Sequence, residues 1–292
     1  MRVALFGQTG QVGEALLEWF PKVQWICADR NRAGGDLREP EKVYQWLLDT
    51  RPNAIVNAAA FTAVDRVPEN YDEAMTVNAR APAVMARAAK ALGAYFIHLS
   101  TDYVFDGSGV KPWEPDDKVC PINAYGKTKA EAEKRIAEET DFFTILRLSW
   151  LHAPGHVNFV TSFCKRLQTQ SEVSVVDDQW GSPTAAEDVA SVIERLLQNF
   201  QNQCPVIGIV HFANVGFCSR YECACEIVDQ LQKLGVSWSQ GKRVLRAKTS
   251  DFPAMEPRPC NCRLSTAEFT KKLSFTPRSW QEALRETLTQ YD

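Results

Sequence analysis

Tyr125 and Lys129 are the residues whose types and spacing most directly suggest chemistry. They are four positions apart at the start of a predicted helix, so both side chains project from the same helix face. A free phenol has a pKa of about 10, and a nearby lysine ammonium lowers the pKa of tyrosine by favouring the phenolate. Tyr125 is therefore a candidate proton donor to a carbonyl oxygen. Taken alone, such a pair more often belongs to an ordinary helix.

A hydroxyl group in the right place strengthens the catalytic interpretation. Residues 95–99 form an apolar run that predicts a strand, and Ser100 and Thr101 follow it directly. Ligands of parallel α/β sheets bind at the carboxyl ends of the strands, where a hydroxyl can hold the same carbonyl group. We take Thr101 as the candidate and Ser100 as the second choice.

Three glycines near the N-terminus predict a nucleotide-binding turn. Gly7, Gly10 and Gly13 lie between an apolar strand at residues 3–6 and the start of a helix. Glycine lets the backbone approach a pyrophosphate, and the helix N-terminus offers N–H donors. The spacing differs from the usual Gly-x-Gly-x-x-Gly, so a plain turn is the alternative.

A carboxylate at the end of the next strand agrees with a dinucleotide site. Asp29 lies about twenty residues after the glycines, where an acid can bind the adenosine ribose. Arg30 and Arg32 beside it can instead attract the extra phosphate of NADPH, so the sequence leaves NADH and NADPH open. Asp36 and Leu37 are expected to border the adenine, although Asp36 can equally cap the following helix.

The elements around these residues alternate between strand and helix, which predicts an α/β fold with a doubly wound parallel sheet, the Rossmann fold. A second, smaller α/β domain is expected to bind the substrate. We expect the dinucleotide-binding domain at residues 1–150 with returning segments near 184–214, and the substrate-binding lobe at 151–183 and 215–292. Predicted strands lie at residues 3–6, 23–28, 54–57, 95–99, 143–148 and 207–212, and predicted helices at 40–48, 74–92, 125–139, 158–168, 186–199 and 220–234.

Composition excludes several classes of protein. The 292 residues carry a net charge of −3 without a basic run, which argues against partners such as nucleic acid or an anionic membrane surface. The apolar run at the N-terminus is too short for a signal peptide or a membrane span, so we expect a cytoplasmic protein. The nine cysteines are read as reduced thiols rather than disulfides or zinc ligands, and no metal site is expected.

The four histidines are not assigned to chemistry. His152 and His156 flank a proline and glycine turn, and we expect a solvated or substrate-side loop there. His98 and His211 lie in apolar strand patterns and are expected to be hydrogen-bonded core residues.

Several of these segments together resemble the extended short-chain dehydrogenase/reductases, and within them the dTDP-4-dehydrorhamnose reductase family. The segments that carry the resemblance are residues 7–13, 57–60, 100–107, 125–129, 147–150, 178–184 and 258–264. They are spread over nearly the whole chain, so the resemblance is not confined to the nucleotide-binding turn.

The resemblance implies a catalytic triad of Thr101, Tyr125 and Lys129, with Lys129 also holding the nicotinamide ribose. It further implies an NADPH or NADH site and a nucleotide-sugar site. The cofactor site would include Gly10, Gln11 and Val12 at the pyrophosphate, and Ala60, Phe61, Thr62 and Leu99 along the cofactor. The substrate site would include Thr101, Asp102, Tyr103, Tyr125 and Trp150. Phe61 departs from the polar residue often found in relatives.

The activity implied is reduction of the 4-keto group of a dTDP-linked deoxy sugar to the rhamnose product. Two alternatives stay open, namely the 6-deoxy-talose product and a non-catalytic regulatory subunit related to that of methionine adenosyltransferase; an intact triad argues against the latter. Some relatives join two subunits through acidic residues and magnesium, so a homodimer is one assembly open to this chain. The first-helix acid, Glu14, is out of register, and we do not extend the magnesium site to it.

Overall fold

The computed structural model describes residues 1–31, 34–252 and 256–291. Its strands are β1 (Arg2–Phe6), β2 (Gln24–Ala28), β3 (Ala54–Asn57), β4 (Tyr95–Thr101), β5 (Phe143–Leu148), β6 (Leu151–His152), β7 (Glu172–Val176), β8 (Trp180–Gly181), β9 (Thr184–Ala185), β10 (Gly208–Phe212), β11 (Cys218–Ser219) and β12 (Arg243–Ala247). Its helices are α1 (Gln11–Trp19), α2 (Pro40–Thr50), α3 (Tyr71–Met75), α4 (Ala81–Leu92), α5 (Ala124–Glu139), α6 (Phe159–Thr169), α7 (Ala186–Gln201), α8 (Arg220–Lys233), α9 (Ala267–Leu273) and α10 (Trp280–Leu288).

The central element of the described chain is a six-stranded parallel sheet in the order β10-β5-β4-β3-β1-β2. The chain runs from β1 to β2 on one side and then to β3 on the other, so the winding direction reverses between β1 and β3. Such a reversal leaves a crevice at the carboxyl ends of these two strands. The prediction of a doubly wound parallel sheet is confirmed, and the strand predicted near residues 207–212 forms the edge beside β5.

Helices cover both faces of this sheet, which is why its strands are apolar without alternation. On one face α1 and α7 pack against inward side chains such as Val3, Leu5 and Ile97. On the other face α2 and α4 pack against Phe6 and Ile55. The alanine-rich sequence of α4 keeps its side chains small, so that the helix lies close to the sheet. Both layers hold the strand ends, and hence the crevice, in fixed positions.

A third apolar cluster lies in the second half of the chain. Helices α6, α8 and α10 pack there with β7 and β12, through side chains that include Phe163, Ile227 and Leu284. This cluster is the smaller α/β part that the sequence predicted beside the main sheet. Where the boundary between domains falls stays a prediction.

The helix predicted over residues 74–92 is interrupted. Residues 71–75 and 81–92 are α-helical, but Thr76–Arg80 between them form a π-helical turn. Pro82 has no N–H group and cannot donate to the turn before it, which favours a wider turn at this point. The wider turn carries Asn78, whose contacts are described below.

Two broader expectations concern thiols and membranes. The nine cysteines lie within the described ranges, and each is a free thiol. Among the helices of the described residues, none combines the length and the apolar character needed to cross a bilayer.

Candidate active site

The residues predicted for the site line one cleft at the carboxyl edge of the main sheet. The cleft has a volume of about 1030 Å³ and takes its walls from the sheet and from the second half of the chain. The predicted cofactor residues found in its lining are Gly7, Gly10, Gln11, Val12, Asp29, Arg30, Asp36, Leu37, Ala60, Phe61, Thr62, Leu99, Tyr125 and Lys129, and the predicted substrate residues are Thr101, Asp102, Tyr103, Tyr125 and Trp150. Gly13 is not in the lining, so its role differs from the contact we expected.

The glycine turn brings β1 and the N-terminus of α1 into close contact. Gly7 has a φ of 84°, a conformation that residues with side chains rarely adopt. A Cβ atom at Gly13 would lie 2.0 Å from the carbonyl oxygen of Gly7, so Gly13 packs behind the turn. Gly10 precedes α1 and has no side chain that could cap the helix. The N–H groups of the first turn are therefore not capped by a side chain, and they face the cleft. This arrangement fits the pyrophosphate of a dinucleotide.

Substituting Gly13 with alanine tests this packing. We expect the new methyl group to push α1 away from Gly7, lowering the free energy of unfolding by about 1–3 kcal/mol. If the turn holds the predicted dinucleotide, we also expect the substitution to weaken its binding by roughly tenfold or more. Gly10→Ala is the matched comparison because its Cβ would lie 3.3 Å from the same oxygen, and it should lose less stability. Urea denaturation and cofactor titration measure both quantities, and equal losses in the two variants would contradict the packing argument.

Acidic and basic groups lie together at the far end of the cleft. Asp29 Oδ1 accepts the N–H of Asn31 at 2.9 Å. Asp36 is held by Arg38, whose Nε donates to both carboxylate oxygens at 3.0 Å and lowers the pKa of Asp36. Arg30 and Arg38 both line the cleft, but only Arg30 was predicted from the sequence. Arg32 lies outside the described residues.

The loop after β3 is fixed by a side chain from the π-helical turn. Asn78 Oδ1 accepts the N–H of Phe61 at 2.7 Å, and Asn78 Nδ2 donates to the Phe61 carbonyl at 3.1 Å. Asn78 Nδ2 also donates to Thr128 Oγ1 on α5 at 2.9 Å. The backbone at Phe61 is therefore tied to the helix that carries Tyr125 and Lys129. This explains how a phenylalanine is accommodated there, since the fixing contacts use only its backbone.

The start of α5 places Tyr125 against the end of β4. Asn123 caps the helix by accepting the N–H of Gly126 at 2.7 Å. A Cβ atom at Gly126 would lie 2.1 Å from the carbonyl oxygen of Tyr103, so glycine permits the close approach. The rings of Tyr103 and Tyr125 then meet edge to face, with 5.8 Å between their centroids.

The two hydroxyl candidates on β4 have different partners. Thr101 Oγ1 donates to Asp102 Oδ1 at 2.8 Å and lies within hydrogen-bonding reach of the Tyr125 hydroxyl. Ser100 Oγ donates to the buried carboxylate of Glu133 at 2.6 Å. Thr101 is therefore the hydroxyl that lies beside Tyr125, and its catalytic role stays a prediction.

Burial controls the ionisation of the central groups. It lowers the pKa of Lys129 to about 8, against the opposing charge of Glu133. It raises the pKa of Asp102, although hydrogen bonding from Thr101 opposes this. Burial, aided by the charge of Asp102, also raises the pKa of Tyr125. We expected Lys129 to lower the pKa of Tyr125, and for the protein without ligands that expectation was wrong, because desolvation of the phenolate outweighs any help from the lysine.

Lys129 is held by two groups of β4. Its Nζ donates to the Leu99 carbonyl at 2.7 Å and lies 3.1 Å from His98 Nε2. His98 and His211 are buried and hydrogen-bonded, as predicted. The pairing of His98 with Lys129 was not predicted, since alternation along a strand does not reveal which helix side chain meets it.

Trp150 and two arginines form the part of the cleft where substrate contacts were predicted. Trp150 adopts a φ of 45°, and the guanidinium of Arg220 lies 3.5 Å from its ring centre. Gly181 packs flat against the same ring, where a Cβ would come within 2.6 Å. Arg258 pairs with Asp65 at 2.7 Å and also lines the cleft. Both arginines were missed, although Arg258 opens one of the segments that carried the family resemblance.

The expectation for His152 was wrong. Its side chain is buried in β6, Nδ1 bonds to Thr287 Oγ1 at 3.0 Å, and burial lowers the pKa of His152 to about 3. Helix α10 covers this position. It lies 135 residues further along the chain, so the sequence around His152 could not reveal the contact. His156 is partly exposed at the cleft and bonds to Glu14 at 2.8 Å.

Comparison with known proteins gives matches over the full length. The family model described as the RmlD substrate binding domain matches residues 1–292. The dTDP-4-dehydrorhamnose reductase of Escherichia coli K12 is 34% identical, and the match covers 99% of this chain and 98% of that protein.

Solved structures give the same result. A dTDP-4-dehydrorhamnose reductase from Clostridium acetobutylicum has a TM-score of 0.88 at 33% identity, over 99% of both chains. The dTDP-4-dehydrorhamnose reductase of Bacillus anthracis, solved in complex with NADP, has a TM-score of 0.90 at 29% identity, again over 99% of both chains.

Proposed function

The chain belongs to the RmlD substrate binding domain family, and on this premise we propose that it reduces dTDP-4-dehydro-L-rhamnose to dTDP-L-rhamnose with NADPH or NADH. The observation that carries the proposal is the meeting of Thr101, Tyr125 and Lys129 in the cleft that the glycine turn also lines. Relatives that match over their full length are named for this reaction.

The catalytic residues divide the work between proton transfer and positioning. The reduced nicotinamide, when bound, supplies the hydride. Tyr125 donates its phenolic proton to the carbonyl oxygen of the sugar, so that no free alkoxide has to form. Thr101 turns its hydroxyl from Asp102 towards the same oxygen and orients the carbonyl. Lys129, which lines the cleft, holds the ribose of the cofactor by donating from its Nζ.

The substrate side of the cleft suits an anionic sugar nucleotide. Trp150 offers a flat face to the sugar, with Asp102 and Tyr103 beside it. Arg220 and Arg258 place two cations in the same walls, and guanidinium groups bind diphosphate oxygens through paired hydrogen bonds. We therefore assign the diphosphate of the nucleotide sugar to these arginines.

The charged residues at the far end of the cleft suit the binding of either NADPH or NADH. Arg30 and Arg38 can bind the extra phosphate of NADPH, whereas Asp29 can bind the ribose hydroxyls that NADH leaves free. Titration of the protein with each reduced cofactor decides between them.

Turnover of the keto sugar tests the proposal. When the purified protein is mixed with dTDP-4-dehydro-L-rhamnose and NADPH or NADH, one molecule of cofactor should be oxidised for each molecule of sugar reduced. Product NMR should show the rhamnose configuration at C4. The 6-deoxy-talose configuration would show hydride addition to the opposite face of the same ketone. No cofactor oxidation with any 4-keto sugar nucleotide would overturn the proposal and favour the non-catalytic alternative.

A further inference from the structure

Both faces of the Trp150 ring are covered. A Cβ atom at Gly181 would lie 2.6 Å from a ring carbon and 2.8 Å from the ring nitrogen, so the backbone of β8 lies against one face. The guanidinium carbon of Arg220 lies 3.5 Å from the ring centre. Two groups this close cannot occupy the same face, so Arg220 covers the opposite one. The ring of Phe159 also contacts the guanidinium, with its centre 4.7 Å away.

The face of Trp150 under Arg220 is the face that a sugar would need. The ring cannot offer another face, because Gly181 occupies that one. The backbone of Trp150 is fixed as well, with a φ of 45° and a hydrogen bond of 3.1 Å from the N–H of Thr184 to its carbonyl. The side chain of Arg220 is by contrast long and flexible, and it lines the open cleft. Room for a sugar on Trp150 therefore requires movement of Arg220.

No anionic group of the protein holds Arg220 in place. Arg258, which lines the same cleft, is paired with Asp65. Within the part of the chain that the structure describes, Arg220 forms no ion pair, and no oxygen accepts a hydrogen bond from its guanidinium. Aromatic rings attract a guanidinium more weakly than an anion that accepts two hydrogen bonds from it. A diphosphate in the cleft would therefore draw Arg220 away from Trp150.

We propose that Arg220 determines specificity for nucleotide-linked sugars, because it covers the sugar-binding face of Trp150 and leaves that face when a diphosphate binds to it. A sugar without a diphosphate meets a covered ring, whereas a nucleotide sugar uncovers the ring as it binds. The inference rests on the proposed function, which takes the substrate to be a sugar joined to a diphosphate. It adds an order of events, in which the diphosphate binds first and the sugar second.

The position of Arg220 can be followed by NMR of protein with isotope-labelled arginine. The ring current of Trp150 shifts the side-chain proton signals of Arg220 upfield, and Arg220→Lys identifies these signals. With the cofactor site filled by NADP⁺ or NAD⁺, thymidine diphosphate is expected to remove the upfield shift. Thymidine, which has no phosphate, is expected to leave it. An upfield shift that persists at saturating thymidine diphosphate would overturn the proposal, as would failure of this nucleotide to bind.

Arg220→Ala removes the cation and uncovers Trp150. We expect the dissociation constant of thymidine diphosphate and the KM of the nucleotide sugar to rise about 10- to 100-fold, with kcat within about threefold of the wild type. Arg220→Lys keeps the charge without the paired hydrogen bonds, so it should recover part of the affinity. Arg246→Met is the control. It removes another arginine stacked on a ring, that of Tyr221, outside the cleft lining, and should leave both constants unchanged.

A fall in kcat with an unchanged dissociation constant for thymidine diphosphate would contradict the proposal, since Arg220 would then act on the ring of Trp150 alone. The binding measurements need no turnover. A failed reductase assay would therefore overturn the proposed reaction, while the movement of Arg220 would be decided separately by NMR. If Arg220→Ala does not fold, the signals of the wild-type protein still decide, because Arg220→Lys is sufficient to assign them.

Discussion

Replacing Tyr125 by phenylalanine is expected to lower kcat by about 10²–10⁴-fold, the usual contribution of a positioned proton donor. The change removes one oxygen and keeps the ring, which packs edge to face on Tyr103. The shape of the cleft should therefore persist, and the dissociation constant of the cofactor should change little. Steady-state kinetics with the keto sugar and cofactor titration measure the two effects separately.

Tyr103→Phe is the matched comparison for that experiment. It removes a hydroxyl from the neighbouring ring of the same cleft, but Tyr103 is assigned only to substrate binding. We expect a smaller loss, expressed mainly in the KM of the sugar. Undiminished turnover by Tyr125→Phe would show that another group supplies the proton, and equal losses in both variants would show that the hydroxyls act through packing.

Elements with strong local signals could be predicted from the sequence. Helix α5 begins at Ala124, one residue before the predicted start, because Asn123 supplies the cap that the local sequence encodes. The apolar strands of the main sheet were located because helices bury both of their faces. Thr101 and Tyr125 could be assigned to one edge because parallel strands end together there.

Contacts between distant segments could not be predicted in this way. The pairing of His98 with Lys129 depends on how α5 lies across β4, and the stacking of Arg220 on Trp150 joins α8 to the end of β5. The burial of His152 depends on Thr287, which is 135 residues further along the chain. Sequence periodicity gives the face of an element but not the partner of a side chain, so these contacts required the folded structure.

The second large effect is expected on stability, in the buried ion pair between α5 and β5. Arg147 and Glu133 are almost fully buried, and their side chains meet through two hydrogen bonds of 2.9 and 2.7 Å. Arg147 also donates to the carbonyl of Pro115 at 3.0 Å and lies 3.2 Å from His211 Nε2. Arg147→Met should lower the free energy of unfolding by about 3–5 kcal/mol, because it leaves the carboxylate of Glu133 buried without a countercharge.

A double variant separates the charge effect from the loss of packing. Glu133→Leu combined with Arg147→Met removes both charges and replaces them with apolar groups, so it should be more stable than Arg147→Met alone, since a buried carboxylate without a partner costs more than an absent pair. Urea denaturation of the wild-type protein, both single variants and the double variant completes the cycle. If the double variant loses as much free energy of unfolding as the sum of the single variants, the two side chains do not act as a pair.

The titration of Lys129 gives a second measure of the same variants. The charge of Glu133 raises the pKa of Lys129, so the titration midpoint of Lys129 should fall in every variant that lacks Glu133.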